Sequence, residues 1–200
     1  MKVKSENLLE IGAMSGFLLP IIFAVMLSVA ITLNPWFSFH KNALSDLGSL
    51  KVQTRYVFNS GLILMGILGI VFSLAAVRYF GSNMMHILTV AMAFLIAVGI
   101  FPEEYGKIHL IPATLFYVLS LTGIFYAGVI LRKRGKQKLS LFSMIGSAGT
   151  FALMIATLGK SGLAVPEMIG AVFILSWIVV ISHKMLKETK RKESNIKSYS

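Results

Sequence analysis

Apolar residues run almost unbroken through six stretches of the chain, at about 8–33, 56–77, 84–101, 108–131, 139–158 and 165–181, and the polar residues are gathered between them. At a rise of about 1.5 Å per residue, a helix needs roughly 20 such residues to cross the hydrocarbon of a bilayer. Backbone N–H and C=O groups cannot be left bare in lipid, so each stretch is expected to be a helix. Continuous apolar runs such as 62–77 lack the alternation that a barrel strand requires. The expected fold is therefore all-α: an integral membrane bundle of six transmembrane helices in one domain, residues 1–185, followed by a basic tail at 186–200. The last residues, ESNIKSYS, have no apolar pattern and are expected to be disordered. The first stretch follows Lys2 and Lys4 but is longer than a signal core and has no small-residue cleavage pattern after it, so it reads as an uncleaved helix. The second three stretches do not repeat the first three.

Composition agrees with this pattern. Hydrophobic residues make up 56% of the chain and charged residues 14%, with a mean hydropathy of +0.79, whereas soluble domains carry about a quarter charged residues. The net charge of +11 does not indicate nucleic acid, because the cations are not interleaved with aromatics along helical faces. They lie between the apolar stretches, fourteen on the side of the two termini and five on the other. Basic loops stay in the cytoplasm, which predicts a multi-pass protein of the cell membrane with both termini cytoplasmic and the long 34–55 loop outside. The run Arg132, Lys133, Arg134, Lys136 and Lys138 is expected to meet anionic lipid headgroups, each cation contributing about 1 kcal/mol near the surface. With no cysteine, disulfides, thiolate metal sites and cysteine nucleophiles are excluded.

Candidate chemistry concentrates in two outer segments. The first is NPWFSFHKNALSDLG, residues 34–48. Pro35 ends the first helix, and Trp36, Phe37 and Phe39 suit the water boundary. Ala43, Leu44 and Leu47 recur with helical spacing, which predicts a short helix over 41–47 closed by Gly48, with Asp46 turned away from lipid. The second is FPEEYGKIH, residues 101–109. Pro102, Glu103 and Glu104 suit a helix start, and an unbroken helix would place Tyr105 and His109 on one face, with Gly106 weakening it. The turn GKSGLAVPE resembles a phosphate loop only superficially, since Met154 stands where a Walker motif needs glycine; Pro166 and Glu167 read as another helix start. Gly12 with Gly16, Gly123 with Ala127, and Ser143 with Ser147 have the small-residue spacing that admits a close helix neighbour.

His40, Ser45, Asp46, Glu103, Glu104 and His109 are thus expected to converge on one outer rim. His40, Asp46, Glu103 and His109 are a donor set suited to zinc or iron, although no HExxH is present and no cofactor is strongly implied. Without metal, burial would raise Asp46 or Glu103, with His109 as the complementary base. Ser45 beside Asp46 makes no triad, because adjacent side chains project differently. No carboxylate falls at a membrane midpoint, which argues against proton- or ion-coupled transport.

On these two segments, the chain resembles the prokaryotic, largely archaeal family called domain of unknown function 998, which implies a six-helix membrane protein over nearly all its length. More distantly, Ser45, Asp46 and Gly48 resemble the serine-aspartate-x-glycine element of the eukaryotic damage-regulated autophagy modulator and GPI-processing family. There isoleucine usually precedes the serine and threonine follows the aspartate, where Leu44 and Leu47 stand here. The function expected is binding of a lipid headgroup or small ligand at the outer polar cluster. The alternatives are a membrane-embedded enzyme acting on a lipid or lipid-linked substrate, with metal or without, and a transporter.

Overall fold

The computed structural model describes residues 2–160 and 162–197, with side chains described outside 2–6, 192–193 and 195–197. Six α-helices follow in order: α1 Lys2–Thr32, α2 Arg55–Phe80, α3 His86–Ile100, α4 Lys107–Lys133, α5 Gln137–Thr157 and α6 Ala164–Lys197. All six are long and apolar enough, with the short turn before α3 included, to cross a membrane. The protein is an all-α, polytopic membrane bundle. Each helix reverses direction, so the two termini share one face, and the turns at 33–54, 101–106 and 158–163 share the opposite one, called the distal face below.

Three local expectations are corrected. The stretch 41–47 is not a helix; the chain turns irregularly and then forms a 3₁₀ turn at Leu44–Gly48. Asp46 explains the shift, because its Oδ2 accepts from the Ala43 amide at 3.2 Å and ties down the turn's first donor. Tyr105 and His109 do not share a helix, because Gly106 at φ 57° separates the Glu103–Tyr105 turn from α4. Of the stretch expected to be disordered, residues 193–197 instead continue α6 to Lys197, and residues 198–200 lie outside the described residues. The helix runs on past residue 185 because Met185 and Thr189 remain buried beneath it, and lysine and glutamate are good helix formers.

Neighbouring helices pack in sequence from α1 to α6, and α6 returns to pack on α1. α1, α2, α3, α4 and α6 enclose the interior, and α5 lies outside against α4 and α6. The lipid-facing surface is apolar, as in the stripe of Ile11, Met14, Leu18, Ile21 and Val25 on α1. Close approach is built with small residues. A Cβ on Gly12 would stand 2.1 Å from the Ala75 Cβ, and one on Gly16 would stand 2.1 Å from the Ser182 Oγ, so α1 sits tightly on both α2 and α6. Nearer the termini, Trp177 is fully buried, stacked on Phe80 at 6.2 Å and edge-on to Phe72 at 6.3 Å. Its Nε1–H donates to the Ser143 Oγ at 2.9 Å, which fastens α5 to α6 and gives the serine pair of α5 its purpose.

Candidate functional site

The 44–48 turn closes the distal end of the interior like a lid. Leu44 and Leu47 are buried beneath it, and its backbone is held from several sides. The Asn59 Nδ2 donates to the Gly48 carbonyl at 2.9 Å, and the Thr54 hydroxyl donates to the Leu47 carbonyl at 3.2 Å. Thr54 also accepts from the Asn34 Nδ2 at 2.7 Å, and the Asn34 Oδ1 accepts from the Trp36 indole at 2.9 Å. A second strap joins the two turns by backbone: the Gly162 amide donates to the His40 carbonyl and the Ala164 amide to the Asn42 carbonyl, at 2.7 and 2.9 Å. Gly162 is required there, since a Cβ would fall 2.3 Å from the Asn42 carbonyl oxygen.

Three carboxylates from other parts of the chain hold the lid. Glu167, in the first turn of α6, accepts from the Leu44 amide at 2.7 Å across 123 residues of sequence. Glu104 accepts from the Ser49 hydroxyl at 2.5 Å and the Leu50 amide at 2.8 Å. Slight desolvation of Glu104 is outweighed by these hydrogen bonds and by nearby Lys51, so its carboxyl lies below the ordinary range. Glu103 behaves in the opposite way. Burial, a hydrogen bond to Asp46, and the negative charges of Asp46 and Glu104 push it from 4.5 up to about 7, against a weak contact from the Ser45 hydroxyl at 3.4 Å. Two carboxyl groups held together at this rim ionise together only at a cost, so Glu103 holds its proton to a higher pH than a free carboxyl, and in that form it can donate to Asp46. Asp46 accepts in turn from the Asn42 Nδ2 at 2.8 Å.

Beneath the lid lies a cavity of about 70 Å³, enough for a few waters or a short run of methylenes. Its walls are apolar, with Phe23, Leu62, Met92, Leu95, Phe116 and Ile174 among them. Its polar lining residues are Ser45, His109, Tyr117 and Glu167. His109 is 8% exposed, and its Nδ1 lies 2.7 Å from the Phe101 carbonyl oxygen. A carbonyl only accepts, so Nδ1 carries a proton, and Nε2 is the ring's remaining polar atom. That Nε2 has no hydrogen-bond partner among the described residues. The Tyr117 hydroxyl donates to the Glu167 carbonyl at 3.1 Å, bracing the start of α6 against α4.

Of the residues expected at one rim, Ser45, Asp46 and Glu103 come together. Glu104 stands beside them on its own partners, and His109 lies a level deeper, facing the cavity. His40 does not join them: its imidazole is exposed and only its backbone carbonyl is engaged. Among the described residues, no three His, Asp or Glu side chains are placed to share an ion. Glu167 and Tyr117 are the cavity residues that sequence reasoning missed. A carboxylate three residues after the start of α6, ahead of an apolar run, was the available signal for Glu167.

Neither the curated proteins nor the solved structures contain a match to this chain. The sequence profile of the family described as protein of unknown function DUF998 matches residues 17–184, a segment containing the lid, the Glu103 turn, the cavity and Glu167, and the chain belongs to that family.

Proposed function

We propose that the protein binds an amphiphile of the membrane, with a short run of its apolar chain in the interior cavity and its polar end against Ser45, His109 and Glu167. The observation that supports this reading is an almost wholly apolar cavity under the lid whose lining also includes Ser45, His109 and Glu167, with the His109 Nε2 making no hydrogen bond among the described residues. An apolar pocket with a few convergent polar groups is the usual form of a small-molecule site. The asymmetry of Lys and Arg supports cytoplasmic termini in the cell membrane, which makes the distal face extracytoplasmic and gives the ligand an approach from the outer leaflet. The Asp46–Glu103 pair serves the lid that covers the ligand's polar end.

The test is native mass spectrometry of the full-length protein gently extracted from expressing membranes. A retained adduct of lipid mass is expected. His109→Asn, whose amide can still donate to the Phe101 carbonyl but has no group in the place of Nε2, should lose most of it. Equal adduct on wild type and variant, or none on wild type, would end the proposal.

A second reading has one specific observation in its favour: Ser45 and His109, whose Nε2 makes no hydrogen bond among the described residues, line the same cavity. It is a membrane-embedded enzyme in which His109 acts as general base on a lipid or lipid-linked substrate. It requires the adduct to change mass on incubation in wild type and not in His109→Asn. Transport has weaker support, since the lining does not include the Phe72–Phe80–Trp177 cluster that fills the interior nearer the termini.

A further inference from the structure

The turn between α4 and α5 and the last part of α6 enclose a groove of about 610 Å³ on the face of the termini. Arg134, Lys136 and Lys138 line it from one side and Lys184, Lys187 and Arg191 from the other, with Glu188 as the acidic lining residue. Local structure explains the convergence. Residues 184, 187 and 191 recur at the spacing of one helical face, and Gly135 at φ 71° turns the chain so that Lys136 and Lys138 come back toward α6. The Arg134 guanidinium donates to the Tyr79 and Phe80 carbonyls at 3.1 and 2.7 Å, so the end of α2 fixes this wall. Six cations around one concavity repel one another, and a bound anion relieves that repulsion. About 20 residues of α6 beyond Ala164 suffice to cross the hydrocarbon, so the cations from Lys184 onward stand at headgroup depth.

We infer that this groove binds a phosphorylated polyanion with at least two negative charges, a class that includes diphosphate-bearing membrane lipids and soluble polyphosphates. Among the described residues the lining carries a surplus of five positive charges, more than one phosphate neutralises, and the volume lies within the range of small-ligand sites. The inference is independent of the cavity under the lid. It is also narrower than a general attraction of basic loops to anionic surfaces, because Arg132 and Lys133 belong to the same basic run but do not line the groove.

That pair supplies the control. The full-length protein in neutral detergent is titrated with cardiolipin and, separately, with inositol hexakisphosphate, and saturable binding is measured by native mass spectrometry and calorimetry. Removing two cations that contact the ligand should weaken binding roughly 30-fold, so Lys138→Gln with Lys187→Gln is expected to show that loss. Lys138→Arg with Lys187→Arg should bind like wild type, and Arg132→Gln with Lys133→Gln should lose less than about threefold. Preferential binding of cardiolipin assigns the groove to lipid, and preferential binding of inositol hexakisphosphate assigns it to a soluble polyanion; either upholds the site. Equal losses in the groove pair and the control pair, or no saturable binding of either probe, would overturn it.

Discussion

Protonation of Glu103 offers a direct test of how the lid is held. Its carboxyl sits at about 7 against an ordinary value of 4.5, because of burial and of Asp46 and Glu104 beside it. Between those two values the folded protein keeps a proton that the unfolded chain has released, so stability falls as pH rises through that window. The stabilisation is complete below the unfolded value and lost above about pH 7. The full linkage would correspond to about 3 kcal/mol, and screening by solvent at this half-exposed rim reduces it to roughly 1–2 kcal/mol. Glu103→Gln imitates the protonated carboxyl and retains a donor for Asp46, so it should remove this component while leaving every other titrating group in place. The assay is thermal unfolding of wild type and Glu103→Gln in the same detergent from pH 5 to pH 8.5. The two should agree near pH 5, with the wild type falling progressively below the variant above pH 6. Parallel curves, or a wild type that gains on the variant as pH rises, would refute the coupling between Asp46 and Glu103.

Other perturbations have separate readouts. Glu167→Ala leaves the Leu44 amide without its acceptor and should cost about 1–3 kcal/mol in thermal unfolding, while Glu167→Gln keeps an acceptor and should recover most of it. Trp177→Ala empties a fully buried site and should cost about 3–5 kcal/mol, against about 1 kcal/mol for Trp177→Phe, which mainly loses the hydrogen bond to Ser143. Gly12→Val forces side-chain atoms into Ala75 and should destabilise by about 1–3 kcal/mol, whereas Gly149→Ala, whose Cβ meets nothing within 4 Å, should be close to neutral in the same assay.

The helices were legible because lipid imposes a length and a polarity on every crossing, and a run such as 62–77 satisfies only one structure. The lid was half legible. The apolar spacing of Leu44 and Leu47 showed that one side would be buried, but the sequence did not show that Asp46 would tie back to the Ala43 amide and set a 3₁₀ turn. Glu167 escaped notice because a local role, a helix start after proline, already accounted for it. Its bond to Leu44 depends on two segments 123 residues apart meeting in space. His40 drew attention by residue type and proximity to Asp46, yet the backbone pairing of His40 with Gly162 leaves the ring outside. The final ESNIKSYS stretch has no apolar pattern to show that α6 would run on to Lys197, and burial of Met185 and Thr189 on one face carries the helix past residue 185.

An experimental density map of the wild-type protein in lipid nanodiscs tests amphiphile binding most directly. Elongated density is expected in the cavity bounded by Leu62, Leu95 and Ile174, with its polar end within hydrogen-bond distance of the His109 Nε2. A cavity filled by repacked side chains, with His109 Nε2 bonded to protein, would contradict it.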